Sequence, residues 1–231
     1  MVPSVIGGAL CLLASLDALV GAAWYLPLGL AAAGVGILVG VRRRIFRPGV
    51  TRSGHEVICR YVPWYEGNAY GAVVVLTLFG VAMVRAGYAP GYPMWFRFGG
   101  LVVLGGGMLA LYGVIRMWRR CFLRITSSAL TVRVAKGDAT DLRRKQVKSI
   151  NPKVVRNAVN GAESLQVEIT YDAADSSSDQ LKTVLLGQQL SVEPVNLLNA
   201  LMTWKNLGEG DSGELLERIE RILRDGPTAG V

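Results

Sequence analysis

Histidine is almost missing from this chain of 231 residues, with His55 alone. One histidine cannot build a His cluster, and no Cys/His pair stands at metal-ligand spacing, so no metal centre is expected. Cysteine is scarce too. Cys11, Cys59 and Cys121 are odd in number and far apart, which excludes a disulfide framework, and all three read as structural. There is no nucleophile elbow, Walker-type phosphate loop or dinucleotide signature, and Gly105-Gly106-Gly107 lies inside an apolar run instead of a strand-to-helix turn. Neither catalysis nor a cofactor is expected. The opening Met-Val-Pro-Ser holds no Lys or Arg, which the leading region of a signal peptide needs, so the first apolar run is expected to be retained.

Acids are few in the first half. Residues 1–119 carry ten arginines against three acids (+7), residues 120–160 ten basic residues against two (+8), and residues 161–231 five against twelve (−7), giving +8 overall. A basic chain raises the question of nucleic acid, but no aromatic stacking array or binding motif accompanies the charge. Much of the excess flanks apolar runs, where membrane orientation and anionic lipid account for it.

Those apolar runs dominate the first half. Phe98–Met117, FGGLVVLGGGMLALYGVIRM, ends in a cluster of Arg116, Trp118, Arg119, Arg120 and Arg124. About 20 apolar residues at ~1.5 Å each cross a ~30 Å hydrocarbon core, so this run reads as a spanning helix. Three more runs precede it, and a four-helix transmembrane region over residues 1–119 is expected, with helices at about 5–22, 26–41, 70–86 and 98–117. The third is short and needs snorkelling or local bilayer thinning. Ala32, Gly36 and Gly40 place small residues on one face of the second, suited to close helix packing. The 42–69 loop holds Arg42, Arg43, Arg44, Arg47, Arg52 and Arg60, and the final exit holds four more, whereas the other side has only Arg85 and Arg97. The positive-inside rule then predicts a multi-pass plasma-membrane protein with both termini cytoplasmic, and Trp24, Tyr25, Tyr88, Tyr92, Trp95 and Phe96 fall at the outer interface.

After Cys121 the periodicity changes. CFLRITSSALTVRVAK reads as a hairpin about Ser127-Ser128, and Gly137-Asp138 as a turn before the basic region DATDLRRKQVKSINPKVV. Leu165–Tyr171 alternates as a half-buried strand, the polar Asp172–Asp179 loop follows, and Leu181–Leu186 is another strand. Ser191 is expected to cap a helix with Pro194 in its first turn and Val195, Leu197, Leu198, Leu201 and Trp204 on one face. The break Gly208–Gly213 precedes an amphipathic helix, Glu214–Arg224.

The opening hairpin, LRRKQVKSI, LQVEITYD, LKTVLLG and the helix from Val192 resemble, in that order, the bacterial pleckstrin-homology-like (PH-like) domains that follow membrane helices in many actinobacterial, mycobacterial-type membrane proteins. The resemblance implies an α+β chain: four transmembrane helices, then a small PH-like antiparallel β-barrel or sandwich at 120–206, cytoplasmic, with a C-terminal amphipathic helix and tail at 207–231.

Candidate sites follow from outliers. Asp17 is an ionisable residue within an apolar helix, and such residues face a partner, cavity or interface; Arg85 and Arg97 are candidate partners. Arg60, Trp64, Tyr65 and Glu66 combine charge and aromatics at a boundary, suiting a docking surface for lipid head groups or a partner. Arg143, Arg144, Lys145 and Lys148, backed by Lys153 and Arg156, form a cationic run that an anionic inner leaflet attracts. Glu214–Arg224 offers an apolar face to a partner. The function expected is a non-enzymatic membrane scaffold or accessory protein. Its PH-like domain would bind a membrane protein complex, anionic lipid or both, in cell-envelope or lipid-transport assemblies. The alternative is a small-molecule or lipid transport component using Asp17, and a lipid-modifying enzyme with Glu66 as acid or base is a third reading.

Overall fold

The structure, a computed structural model, describes residues 2–40, 45–135, 137–156, 163–172, 181–206 and 212–225. The chain divides into two compact units, Met1–Phe46 with Glu66–Ile115 and Arg47–Tyr65 with Arg116–Val231. Arg42, Arg43, Arg44, most of the Asp172–Asp179 loop and of the Gly208–Gly213 break, and the tail beyond Asp225 lie outside the described residues.

The first unit is helical: α1 (Val2–Leu19), α2 (Tyr25–Gly40), α3 (Gly67–Tyr70), a π turn (Gly71–Val75), α4 (Leu76–Ala86) and the body of α5 (Trp95–Arg120). The expected four-helix transmembrane region is not found. Among the described residues, α5 alone, at 26 residues, is long and apolar enough to cross a membrane. The apolar helical stretches Val5–Leu19, Tyr25–Leu38 and Val73–Ala86 have 17 residues or fewer; at ~1.5 Å per residue they fall short of a ~30 Å core. Composition marked these runs correctly as apolar, but chain breaks shorten them. Gly21 takes φ +78° just after α1, the left-handed conformation that glycine ends helices with, and the third run is interrupted by its π turn. The multi-pass topology therefore lacks its spans, and three of the arginines counted for it are outside the described residues.

Small residues set the helix packing. A Cβ on Gly7 would lie 2.9 Å from the Gly34 carbonyl oxygen, and one on Gly34 2.7 Å from Cys11 Sγ, so α1 and α2 approach to backbone distance. Gly100 meets Val84 of α4 in the same way. Of the expected small-residue face, Ala32 is buried and Gly36 sits beside Val75.

The second unit holds two antiparallel sheets and two helices. Strands β1 (Val50–Ser53), β2 (Glu56–Arg60), β3 (Phe122–Thr126), β4 (Ala129–Arg133) and β5 (Thr140–Arg143) pair in that order; β6 (Val147–Arg156), β7 (Glu163–Asp172) and β8 (Leu181–Leu186) form the second sheet. Alternation puts Val57, Cys59, Leu123, Ile125, Leu130, Val132 and Leu142 into one core with Ile150, Val167 and Ile169. Helices α6 (Pro194–Asn206) and α7 (Ser212–Asp225) supply Leu197, Leu201, Trp204, Leu216, Ile219 and Leu223 to it.

Several expectations change here. Residues 50–60, expected within a cytoplasmic loop, are a hairpin that opens the sheet, with Gly54-His55 as its two-residue turn and Gly54 at φ +55°. Cys59 pairs with Leu123, so the β fold is not the self-contained barrel or sandwich expected over 120–206. The basic region after Gly137 is two regular strands joined by a 3-10 turn, Arg144–Gln146. On α6, Ala200 fills the core place expected of Val195, which is 50% exposed. The apolar face of α7 is not open to a partner: Leu215, Leu216, Ile219 and Leu223 are buried in the core. Arg52 pairs with Glu220 at 3.8 Å, and Arg224 Nη2 donates to the Val50 carbonyl at 3.5 Å, both tying α7 to β1.

Candidate functional site

The end of α5 is built into the second unit without a linker. Its last residue is Arg120 and β3 begins at Phe122. The Cys121 N–H donates to the Met117 carbonyl (2.8 Å), and Arg116 Nε donates to the Ala135 carbonyl (3.2 Å). The four arginines at this exit therefore divide. Arg116 holds the β4–β5 side, Arg124 pairs with Glu56 at 3.2 Å, and Arg119 and Arg120 are exposed.

Beside them stands an aromatic group that the sequence separates by more than fifty positions. After β2 the chain turns through Pro63–Tyr65 and brings Trp64 against Trp118, edge to face, with ring centroids 5.1 Å apart at 71°. Such a pair contributes ~0.5–1.5 kcal/mol beyond its burial. Both rings stay open to the surroundings, Trp64 at 48% and Trp118 at 44%. The Arg47 guanidinium lies over the Tyr65 ring at 5.6 Å, and Arg60 is exposed nearby in the chain. The result is an exposed cationic and aromatic collar at the end of an apolar helix. Trp118 was legible as an exit residue; its pairing with Trp64 was not, because it depends on the β2–β3 register.

A strut behind the collar fixes this turn. The Ser191 hydroxyl accepts from the Val62 N–H (2.8 Å) and donates to the Val62 carbonyl (3.3 Å). The Gly49 N–H donates to the Ser191 carbonyl (2.7 Å), the Arg60 N–H to the Gly49 carbonyl (2.8 Å), and the Ser191 N–H to the Arg60 carbonyl (3.2 Å). Ser191 is fully buried. It is thus a cross-link between β2 and the segment before α6, not the helix cap that the sequence suggested; the helix begins later, with the Leu197 N–H on the Glu193 carbonyl (2.9 Å).

The other expected site residues are placed differently. In the cationic run, Arg144 is structural: its Nη2 donates to the Ser127 carbonyl (2.5 Å), its guanidinium lies 5.1 Å from the Trp204 ring centroid, and Trp204 Nε1 donates to the Thr126 carbonyl (2.7 Å). Lys148 pairs with Asp172 at 2.9 Å, and Lys153 with Glu168. Arg143 and Lys145 remain exposed. Glu66 belongs to the first unit, is 3% exposed, and bridges Ile45 in antiparallel fashion, so it is buried and not part of an exposed docking surface. Asp17 lies in the last turn of α1, two residues before its end, and is half-buried. Its expected partners stack on rings, Arg85 over Trp24 (6.0 Å) and Arg97 over Tyr88 (3.7 Å).

Cys59 is fully enclosed, and burial pushes its thiol up to about 12; burial likewise raises Cys121, against a smaller lowering by a hydrogen bond to the Ala135 backbone. A protonated, sealed thiol is a core residue and not a nucleophile. Among the described residues, no three His, Cys, Asp or Glu side chains gather to hold a metal ion. Comparison with known proteins finds no matching family model, no matching curated protein and no matching solved structure.

Proposed function

We propose that this protein is a membrane-anchored, non-enzymatic scaffold whose apolar helical unit, α5 foremost, is embedded in the bilayer and holds the β unit, with β2 and β3 on one face, at the plasma-membrane surface. The observation that carries the reading is the direct passage of apolar α5 into β3 at residues 116–122, with Arg116 and Cys121 hydrogen-bonded at the junction. An embedded helix that continues directly into a sheet keeps that sheet at the membrane, and residence there raises its effective concentration toward partners at the same surface. Along α5, Trp95 and Trp118 stand 23 residues apart, ~35 Å at ~1.5 Å per residue. An apolar helix of that reach can lie deep in the hydrocarbon core and still bring Trp118 to an interfacial aromatic belt. The arginines at its C-terminal end orient the β unit to the cytoplasm by the positive-inside rule.

The full chain should stay with membranes through an alkaline carbonate wash and bring a stoichiometric protein partner through mild-detergent purification. Release into the carbonate supernatant would refute the anchor. Recovery without any partner, together with turnover of a lipid substrate, would refute the scaffold.

A further inference from the structure

We infer that Arg47, Trp64, Tyr65, Trp118, Arg119 and Arg120 form a docking surface for the anionic phospholipid head groups of the leaflet from which α5 emerges. The inference rests on the anchoring proposed above and adds which lipid chemistry the emerging surface selects. The occupant follows from continuity. Trp118 lies in the last turns of α5, so it sits at interfacial depth when the apolar length of that helix is embedded, and Trp64, packed on it at 5.1 Å, is carried to the same depth. Indole rings with one apolar and one polar edge favour that zone.

The charge determines the type of head group. Arg119 and Arg120 are exposed at the helix end, and Arg47 is held over Tyr65 with its guanidinium beside the same turn. The one carboxylate in the segment Arg47–Tyr65, Glu56, is neutralised by Arg124. Guanidinium groups bind phosphate oxygens in bidentate geometry, and each basic residue close to an anionic surface contributes ~1 kcal/mol, less with screening. The alternative cationic run is weaker, because Arg144 and Lys148 are engaged with Ser127, Trp204 and Asp172.

The test uses the full chain reconstituted in phosphatidylcholine bilayers containing spin-labelled phosphatidylglycerol or spin-labelled phosphatidylcholine as probe. The chain should immobilise the anionic probe several-fold more strongly than the neutral one. The paired change Arg119→Gln and Arg120→Gln should lower that preference about fivefold or more while the protein remains carbonate-resistant. Trp64→Leu should reduce the population of immobilised probe of both kinds. Equal immobilisation of both probes by a carbonate-resistant chain would overturn the inference and leave the anchor standing, whereas loss of carbonate resistance would overturn the anchor itself. Abolition of the preference by Arg143→Gln with Lys145→Gln, and not by the collar pair, would also overturn it. Displacement of the probe by millimolar inorganic phosphate would show a soluble anion site in place of a lipid surface.

Discussion

Replacing Gly49 by alanine tests the strut that shapes the collar. A Cβ at this position would lie 2.4 Å from the Arg60 carbonyl oxygen and 3.2 Å from Ser191 Cβ. The first neighbour is backbone in a paired strand and cannot rotate away, so the chain itself must move. Movement disturbs the 2.7 Å bond from Gly49 to Ser191 and the 2.8 Å bond from Arg60 to Gly49. Two bonds at ~1 kcal/mol each, with ~1–3 kcal/mol for overpacking, give a loss of about 3–5 kcal/mol. That is a large share of the ~5–15 kcal/mol that holds a domain folded. Gly137→Ala is the control, since its new methyl would meet only Val134 Cγ2 at 3.7 Å. Thermal unfolding of both variants as full chains in mild detergent, followed by near-ultraviolet circular dichroism, should show Gly49→Ala melting some 6–20 °C below the control, at ~2–4 °C per kcal/mol for a chain of this size. Because Val62–Tyr65 hang from this strut, the same variant should loosen the Trp64–Trp118 pair and weaken its exciton signal. Melting within a degree or two of the control would show that the Gly49 approach is not the constraint argued here.

Other perturbations probe separate parts of the fold. The native Cys59 thiol keeps its proton between pH 9 and about 12, where the unfolded chain gives it up. The stability linked to it is whole below pH 9 and drains away as pH rises toward 12, by at most ~1.4 kcal/mol per unit. Unfolding midpoints measured across that range should fall less steeply in Cys59→Ala than in the native chain, and parallel curves would contradict the burial argument. Arg144→Gln should cost about 2 kcal/mol through the lost Ser127 bond and the Trp204 contact. Arg143→Gln should leave the denaturation midpoint within ~0.5 kcal/mol. In the helical unit, Gly100→Leu should separate α4 from α5, which disulfide cross-linking of cysteines introduced at the contact would report as lost.

What was legible depended on how local the cause was. The hairpin at Ser127-Ser128, the strand Leu181–Leu186 and the helices near Leu197 and Ile219 declare themselves by alternation or helical spacing within a few residues. The β1–β2 hairpin carried a signal of its own, a glycine-led two-residue turn between Val50 and Cys59, which the arginines and aromatics of the region masked. Apolar composition showed that four early runs avoid water but not where each helix ends, and length decides whether a run can cross a bilayer. The amphipathic face of α7 read as a docking surface because sequence shows that a face is apolar, not whether it is already covered. The collar needed a long-range register: Trp64 and Trp118 are adjacent only because β2 pairs with β3. Arg144 illustrates the converse, a residue that looks like free surface charge until the strand and helix around it are assembled.

The interrupted β unit also dictates a timetable for synthesis. β2 leaves the ribosome before residues 61–121, yet it can complete the sheet only after β3 appears, with Cys59 set opposite Leu123. At ~5–20 residues per second the hairpin waits roughly 3–12 seconds with one edge unsatisfied, while α3, α4 and α5 are being made. Sheet closure is therefore tied to the synthesis of the helices that lie between β2 and β3. A fragment begun at Cys121 would emerge with the β3 edge bare and α7 deprived of its seat on β1, and an open edge of that kind invites pairing between chains. The order of translation makes the long apolar helix α5 a step in the folding of the sheet that follows it.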